Sequence, residues 1–315
     1  MVKKSTFWND KWMGIATLIG VIIGAGVLGI PYVIATCGFF LGSLVIICVG
    51  LVFLVLNLFL GEIVLRTKGK HQLSGYIEKY LGKTGKMFMA FSMVFGIYGA
   101  LTAYIIGEGE AMRALFLGTF NLSPMFYSIV FFCLVSLLIY SGVKSVGKAE
   151  LVFIIGMLSV VLLICFFSLS DIEYSHLTEF HPDKFLFPLG VIIFSFISSA
   201  AIPEVNELVK DKKKDFKNAI IIGSLIPIFI YLIFSFAVIG IVGLENFDLL
   251  EPNERIATVA LSFFSNPLIG LLANLFAIIA MLTSFVALGI GLVDMYHYDF
   301  NISRNTSLFL VLSIP

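Results

Sequence analysis

The longest stretches of this chain contain no charged residue. Residues 12–61 hold no Asp, Glu, Lys or Arg over 50 positions, which is enough for two membrane-spanning helices of about 20 residues each. Only 13% of the chain is charged, about half the fraction found in ordinary soluble domains. Five further uncharged runs are long enough for one helix each: 87–107, 114–143, 151–170, 185–203 and 218–244. The sequence therefore predicts an all-α, polytopic membrane protein.

The C-terminal part predicts one more complete span. The run 256–293 is too long for one helix and short for two, and the turn residues at 265–267 divide it into a surface piece and an eighth span over 267–290. A last apolar run begins near Ser307 and ends at Pro315, too soon to cross a membrane. We expect one transmembrane domain over 1–315, with eight spanning helices plus the start of a ninth, incomplete at its C-terminus.

Lysine and arginine are distributed unevenly between the two sets of loops. If the N-terminus lies inside, 17 of the 20 basic residues fall in inner segments, and only Arg113, Lys184 and Arg255 fall outside. This asymmetry follows the positive-inside rule and predicts a cytoplasmic N-terminus in the cell membrane. The basic run 210–217 is interpreted as a topology anchor, so no nucleic-acid partner is expected.

Spans 1 and 6 share a sequence pattern. The first contains G-V-I-I-G-A-G-V-L-G-I-P at 20–31, and the second contains G-V-I-I-F-S-F-I-S-S-A-A-I-P at 190–203. Span 6 comes five spans after span 1, so the two helices run in opposite directions and the repeat is inverted in the membrane. The first repeat covers about 12–170, and the second begins near 185 and is incomplete.

The shared pattern favours a break in each helix. Gly24, Gly26 and Gly29 lower the cost of leaving helical geometry, and Pro31 lacks a backbone N–H. Because lipid offers no hydrogen bonds, a break indicates a polar partner such as a bound solute. Half-helix N-termini suit a carboxylate, and unwound carbonyls suit an ammonium group or small cation. Small residues that only allow close helix packing are the alternative, which the matched copy in span 6 disfavours.

Four separated motifs together resemble one family. They are G-A-G-V-L-G-I-P-Y at 24–32, L-T-A-Y-I-I-G-E-G at 101–109, P-E-V-N-E-L at 203–208 and T-S-F-V-A-L-G-I-G-L-V-D at 283–294. In these motifs the chain resembles the amino acid and auxin permeases, in particular the tryptophan/tyrosine permease branch of the amino acid-polyamine-organocation superfamily. The resemblance implies the inverted five-plus-five, broken-helix fold of leucine-transporter-like proteins and ion-coupled amino acid symport.

The resemblance also implies a substrate site at the two breaks. Backbone groups of span 1 would hold the substrate carboxylate, while the unwound part of span 6 would hold its amine and carry phenylalanines that line or gate the pocket. For the phenylalanines, packing is an equal alternative because the chain has 32 of them. The first group is Gly24, Ala25 and Gly26, and the second is Phe194, Ser195, Phe196, Ser198 and Ser199.

A coupling ion is implied in the same way. In sodium-coupled relatives of the fold, the spacing A-x-x-T-S of span 8 places oxygens beside carbonyls of span 1, and neutral oxygens of this kind suit a weakly held monovalent cation. The proton is the alternative, since the aromatic permeases are regarded as proton-driven. The residues of this tentative sodium site are Gly20, Ile23, Ala280, Thr283 and Ser284.

Span 3 carries acidic residues where the relatives tend to have small ones. We expect Glu110 to pair with Arg113 at the outer end of the helix. Glu108 is a candidate contact for a proton or for the substrate amine, since acids inside membranes are functional suspects.

Taken together, these patterns predict a secondary active symporter of neutral or aromatic amino acids that works by alternating access. The sequence holds no nucleophile motif, phosphate loop or His/Asp/Glu cluster, so an enzyme is not expected. We expect no cofactor other than the coupling ion, and no partners other than the amino acid and lipid. A membrane-embedded amino acid sensor and a passive channel are the alternatives; a channel should show polar faces along several helices.

Overall fold

The computed structural model describes residues 10–116, 122–141, 143–210, 212–251 and 254–314, and in these ranges every regular element is helical. The first nine residues and Pro315 of the predicted domain lie outside the described residues.

All eight predicted spans appear as helices. Span 1 is the pair α1 (Asp10–Ile22) and α2 (Gly26–Ala35), and spans 2 to 5 are α3 (Phe39–Arg66), α4 (Leu73–Phe116), α5 (Pro124–Ser141) and α6 (Val143–Ser168). Span 6 is the pair α7 (Leu189–Phe196) and α8 (Ile202–Leu208), span 7 is α9 (Lys213–Leu249), and span 8 is α11 (Pro267–Asp294). The expected surface piece is α10 (Ala257–Phe264), and α12 (Arg304–Ser313) follows a π-helical turn at Met295–Asp299.

Length and composition agree with a multi-pass membrane protein. Within the described residues, six helices are long and apolar enough to cross a membrane, and the bent pair of α1 and α2 brings the number to seven. The apolar part of α5, Pro124–Tyr140, is shorter.

The first broken helix lies in the centre of the bundle. Residues 13–22 of α1 are all buried, and α1 packs against α6, α8, α9 and α11. By contrast, α3 exposes large apolar side chains such as Phe40 and Phe59. A helix that is apolar and buried on all sides belongs inside a bundle, whereas exposed apolar side chains on a spanning helix suit contact with lipid. The architecture therefore places the break of span 1 away from lipid.

Local sequence signals explain where several helices begin. Asn266 caps α11, because its Oδ1 accepts hydrogen bonds from the backbone N–H groups of Leu268 and Ile269 at 3.1 Å each. Gly38 starts α3 with φ of 95°, and a Cβ there would overlap the carbonyl of Glu179. Only glycine fits this turn without strain.

Replacing Gly38 should therefore destabilise the protein. We expect Gly38→Ala to lower the free energy of unfolding by about 1–3 kcal/mol, seen as a lower thermal midpoint in detergent. Gly96→Ala is the matched control, because a Cβ at Gly96 meets nothing within 4 Å and alanine favours helix. Equal midpoints for the two variants would contradict the assignment.

Candidate functional site

The break in span 1 lies at residues 23–25. The axes of α1 and α2 differ by 53°, and the Gly24 N–H turns back to the Ile22 carbonyl at 3.0 Å. Pro31 lies inside α2, well past the break. The predicted interruption is present, and it coincides with the glycines, not with the proline.

Span 6 is interrupted between α7 and α8. Ile197 is extended, with φ of −65° and ψ of 113°, and a 3₁₀ turn over Ser199–Ala201 leads into α8. Pro203 occupies the first turn of α8, where its missing N–H costs nothing. Both copies of the repeat are therefore broken.

One side chain connects the two breaks. The hydroxyl of Tyr231, on α9, lies 2.6 Å from the Ile22 carbonyl oxygen and 2.9 Å from the Ser195 carbonyl oxygen. Tyr231 is completely buried. Since helix ends leave carbonyls without intrahelical partners, this hydroxyl stabilises the last turns of α1 and α7 together. Tyr231 was not among the residues predicted from the sequence, although it is the only tyrosine of the run 218–244.

A second scaffold side chain holds the unwound part of span 6. The Asn57 amide on α3 donates to the Ser198 hydroxyl at 3.0 Å and lies 3.4 Å from the Ser224 hydroxyl. Asn57 is buried in an otherwise apolar helix. It was also missed, although a lone amide in such a run was the available signal.

The glycines of span 1 allow close approach of their neighbours. A Cβ at Gly24 would lie 2.7 Å from the Ser284 hydroxyl oxygen and 2.9 Å from the Tyr104 hydroxyl oxygen, and a Cβ at Gly26 would overlap Ser195. Two predicted substrate residues, Gly26 and Ser195, are thus brought together across the breaks. Ala25, between the glycines, is partly buried.

The other predicted substrate residues differ in how deeply their side chains are buried. Ser198 is buried and Ser199 is partly buried at the break. Phe196 is buried, with its ring centroid 5.0 Å from that of Tyr231. Phe194, in contrast, is 52% exposed and lies outside the packed core. The exposed Phe194 side chain therefore does not form part of the packed contacts at the breaks, although its carbonyl accepts the Ile197 N–H at 3.2 Å.

Several residues of the tentative sodium site lie where α1 meets α11. The Ser284 hydroxyl donates to the Gly20 carbonyl at 2.6 Å, and the Thr283 hydroxyl lies 3.0 Å from the Ala280 carbonyl oxygen. Ile23, which carries the fifth predicted oxygen, is buried at the end of α1. Ser284 of span 8 therefore contacts span 1, and the ion site itself stays a prediction.

An acidic residue that the sequence analysis missed borders this contact. Glu150, on α6, accepts a short hydrogen bond from the Thr17 hydroxyl of α1. It also lines a small internal space together with Thr283. It was missed because it lies at the edge of an apolar run, where a loop was expected.

Glu108 lies deeper than expected. Because α4 continues to Phe116, Glu108 lies two turns inside the helix and not at its end. It is completely buried, and within the described residues neither carboxylate oxygen has a hydrogen-bond partner. Glu110 and Arg113 are exposed and form no ion pair in the described part of the chain, so the expected pairing is wrong.

A cavity of about 680 Å³, here called the vestibule, opens at the end of the bundle that carries the basic loops. Its lining comprises residues 64–72, Tyr76, Pro203, Glu204, Asn206, Glu207, Lys210, Lys213, Asp294 and Tyr298. Lys70 bonds to Glu207 at 2.7 Å across its mouth, and this hydrogen bond raises the pKa of Lys70.

At the opposite end, α2 is tied to the segment after α9. The Arg255 guanidinium donates to the Tyr32 hydroxyl at 2.8 Å and to the Leu250 carbonyl at 3.0 Å. It also lies over the Tyr32 ring, 5.3 Å from its centroid. This end of the first broken helix is therefore held by polar contacts.

Sequence comparison finds relatives along the whole chain. Residues 8–315 match the tryptophan/tyrosine permease family. Glutamine transporter 2 of Aliivibrio fischeri is 28% identical over 296 residues, which cover 91% of this chain and 75% of that protein. Tyrosine-specific transport system 1 of Haemophilus influenzae is 26% identical over 97% of this chain and 79% of its own length. The low affinity tryptophan permease of Escherichia coli K12 is 23% identical, over 93% and 72% respectively.

Solved structures share the fold. MhsT in complex with L-phenylalanine superposes with a TM-score of 0.69 at 16% identity, over 96% of this chain and 77% of that one. Mhp1, a nucleobase-cation-symport-1 family transporter in a closed conformation, superposes with a TM-score of 0.75 at 10% identity, over 96% and 70%. These likenesses confirm the predicted leucine-transporter-like, broken-helix fold.

The role of Tyr231 in joining the breaks can be measured. We expect Tyr231→Phe to lower the free energy of unfolding by about 1–3 kcal/mol, because it leaves buried carbonyls without their partner. Tyr80→Phe is the control, since the Tyr80 hydroxyl bonds to Thr67 on the exposed surface. Equal thermal midpoints for the two variants in detergent would show that the hydroxyl does not stabilise the breaks.

Proposed function

We propose that this chain, which belongs to the tryptophan/tyrosine permease family, is an ion-coupled symporter of neutral or aromatic amino acids. The family and the matched relatives are transporters and not enzymes. The observation that carries the proposal is the pair of opposed breaks that meet at Gly26 and Ser195 and are held by Tyr231.

The two breaks suit the two ends of a zwitterion. The N-terminus of α2 presents backbone N–H groups and the positive end of a helix dipole, which favour a carboxylate. The absence of side chains at Gly24 and Gly26 lets that carboxylate approach the backbone. On the other side, the hydroxyls of Ser195 and Ser198 and the carbonyls near them accept hydrogen bonds from an ammonium group.

The surroundings of the breaks favour an uncharged side chain on the substrate. The predicted substrate residues carry no charge, and the aromatic rings of Phe196 and Tyr231 lie beside them. Relatives named for tyrosine, tryptophan and glutamine agree with this class. We therefore place neutral amino acids first, and aromatic ones foremost among them.

Alternating access accounts for the difference between the two ends of the bundle. The vestibule opens at one end and reaches Glu204 at the start of α8, while Arg255 holds the other end of α2. Because Gly26 and Ser195 pack closely, a substrate enters only when α2 and α7 separate. The distribution of basic residues supports a cytoplasmic side for the vestibule and the N-terminus. This conformation is then open toward the cytoplasm.

Uptake by purified protein in liposomes tests the proposal. With sodium and proton gradients imposed separately, we expect saturable accumulation of labelled tyrosine, tryptophan, phenylalanine or glutamine under one of them. Stabilisation by an amino acid without uptake would instead identify a sensor, and flux that does not saturate would identify a channel.

Gly26→Leu should abolish binding, because the added side chain fills the space against Ser195. The measurement is the amino-acid-dependent rise in thermal midpoint. Gly99→Leu is the matched control, since a Cβ at Gly99 meets nothing within 4 Å. Binding that persists in Gly26→Leu would place the substrate elsewhere.

A further inference from the structure

The packing of the helices divides most of them into two sets. The first set contains α3 together with α2, α7, α8 and α9, all of which pack against it. The second set contains α4 together with α5, α11 and the π-helical turn, which pack against α4. Transporters with this architecture alternate when one group of helices rocks against another. Contacts between the two sets are therefore expected to change during transport.

A short loop joins the two sets at the end of the bundle that carries the vestibule. This segment, residues 67–72, is here called the inner loop. It connects the end of α3 to the start of α4, and all six of its residues line the vestibule. Gln72, its last residue, is 1% exposed. A buried amide carries both donors and an acceptor, and these groups need partners.

The second set holds the inner loop through Asp299, the last residue of the π-helical turn. Its carboxylate accepts hydrogen bonds from the backbone N–H groups of Gln72 at 3.0 Å and Gly75 at 2.8 Å. The Ser74 hydroxyl donates to it at 2.7 Å. These groups lie at the N-terminus of α4, where backbone N–H groups lack partners within the helix. The backbone of Gln72 is therefore fixed to α4 and to the end of α11.

The side chain of Gln72 reaches the first set. Its Nε2 donates to the carbonyl oxygen of Ala200 at 2.9 Å. Ala200 lies in the 3₁₀ turn of the span 6 break, two residues after Ser198. The Gln72 Oε1 accepts the N–H of Leu73, at the start of α4, at 3.1 Å. The two ends of one amide are thus used on different sets.

This hydrogen bond crosses between the two walls of the vestibule. One wall comes from α8 and the start of α9, and the other comes from the start of α4 and the end of α11. A Cβ at Gly291, on α11, would lie 3.6 Å from the Gln72 Nε2 and 3.7 Å from the Ala200 carbonyl oxygen. The bond is therefore packed against the second wall, and a movement of the walls acts on its two atoms.

A second contact across the vestibule is more exposed. Lys70 of the inner loop bonds to Glu207 of α8, and their side chains are 59% and 29% exposed. Exposed ion pairs contribute little, because water and salt screen them. Of these two contacts, the bond of the buried Gln72 amide is therefore the one whose loss should change the balance between conformations more.

We propose that Gln72 is a positioning residue for transport. Its amide holds the interrupted part of span 6 against α4 and α11 in the conformation open to the cytoplasm, and the bond to Ala200 breaks when the chain opens to the other side. An interaction made in one conformation and not in the other favours the first by its free energy. This proposal rests on the proposed transport function, and it connects the vestibule to the segment where Ser198 faces the substrate amine.

Spin labels can report which conformation is populated. In the full chain with its four cysteines replaced, Lys213→Cys on α9 and Lys79→Cys on α4 place one label on each set at exposed positions. The distance between the labels is measured in liposomes, with and without tyrosine, tryptophan or glutamine. We expect two distances, and we expect Gln72→Met to lower the ratio of the conformation described here to the other by about 2- to 10-fold, the effect of one lost hydrogen bond.

Two further variants serve as controls. An ionised glutamate in Gln72→Glu keeps an oxygen for the Leu73 N–H but has no N–H for the Ala200 carbonyl, so the ratio should fall as in Gln72→Met. A role limited to capping α4 predicts the wild-type ratio for Gln72→Glu. Lys70→Gln removes the exposed contact from the same loop and should change the ratio by about twofold or less.

Four results would overturn the proposal, and they can be told apart. An unchanged ratio in both Gln72→Met and Gln72→Glu would do so without affecting the proposed transport function. A rise in the ratio would assign the bond to the other conformation. An equal fall in Lys70→Gln would show that any loosening of the inner loop suffices. A single distance in the parent chain, unchanged by amino acids or by ion gradients, would contradict alternating access itself.

Discussion

The hydrogen bonds of the Tyr231 hydroxyl hold together the part of the molecule on which the rest depends. A helix that stops inside a membrane exposes backbone groups that lipid cannot satisfy. Here one hydroxyl stands at the carbonyls of Ile22 and Ser195, and Ser284 satisfies the carbonyl of Gly20. Side chains of α9 and α11 therefore stabilise the breaks. The polar groups at the breaks are uncharged backbone groups and serine hydroxyls. Such groups suit a ligand that is bound weakly and then released.

Charge is kept away from these breaks and concentrated at other levels of the bundle. Glu150 and Glu204 lie toward the vestibule, and Glu108 lies on α4, one turn beyond Tyr104, which contacts the break. The proposed substrate site therefore contains no charged side chain. The close contacts at the breaks are made by glycine and serine, and the buried acidic side chains lie away from them.

Much of this fold follows from sequence patterns, because lipid imposes length and polarity on every span. The uncharged runs predicted all eight helices, and the repeated motif predicted both breaks. Two features could not be predicted from the sequence: where a helix continues past a charged residue, and which face of an apolar helix points inward. Glu108 itself ended the uncharged run 87–107, although α4 continues to Phe116. Spans 2 and 7 are largely apolar on every face, so hydrophobic periodicity did not show which face is inward, and the single polar groups of Asn57 and Tyr231 were overlooked. The exposure of the Phe194 side chain could not be predicted from its position in the sequence.

A structure determined with a bound aromatic amino acid tests the central claim most directly, since it locates the ligand relative to the two breaks. The account predicts that the substrate carboxylate lies within hydrogen-bond distance of backbone N–H groups at residues 25–27, with the amine facing Ser195 or Ser198. Density for the amino acid only in the vestibule, with Gly26 and Ser195 still packed together, would contradict it.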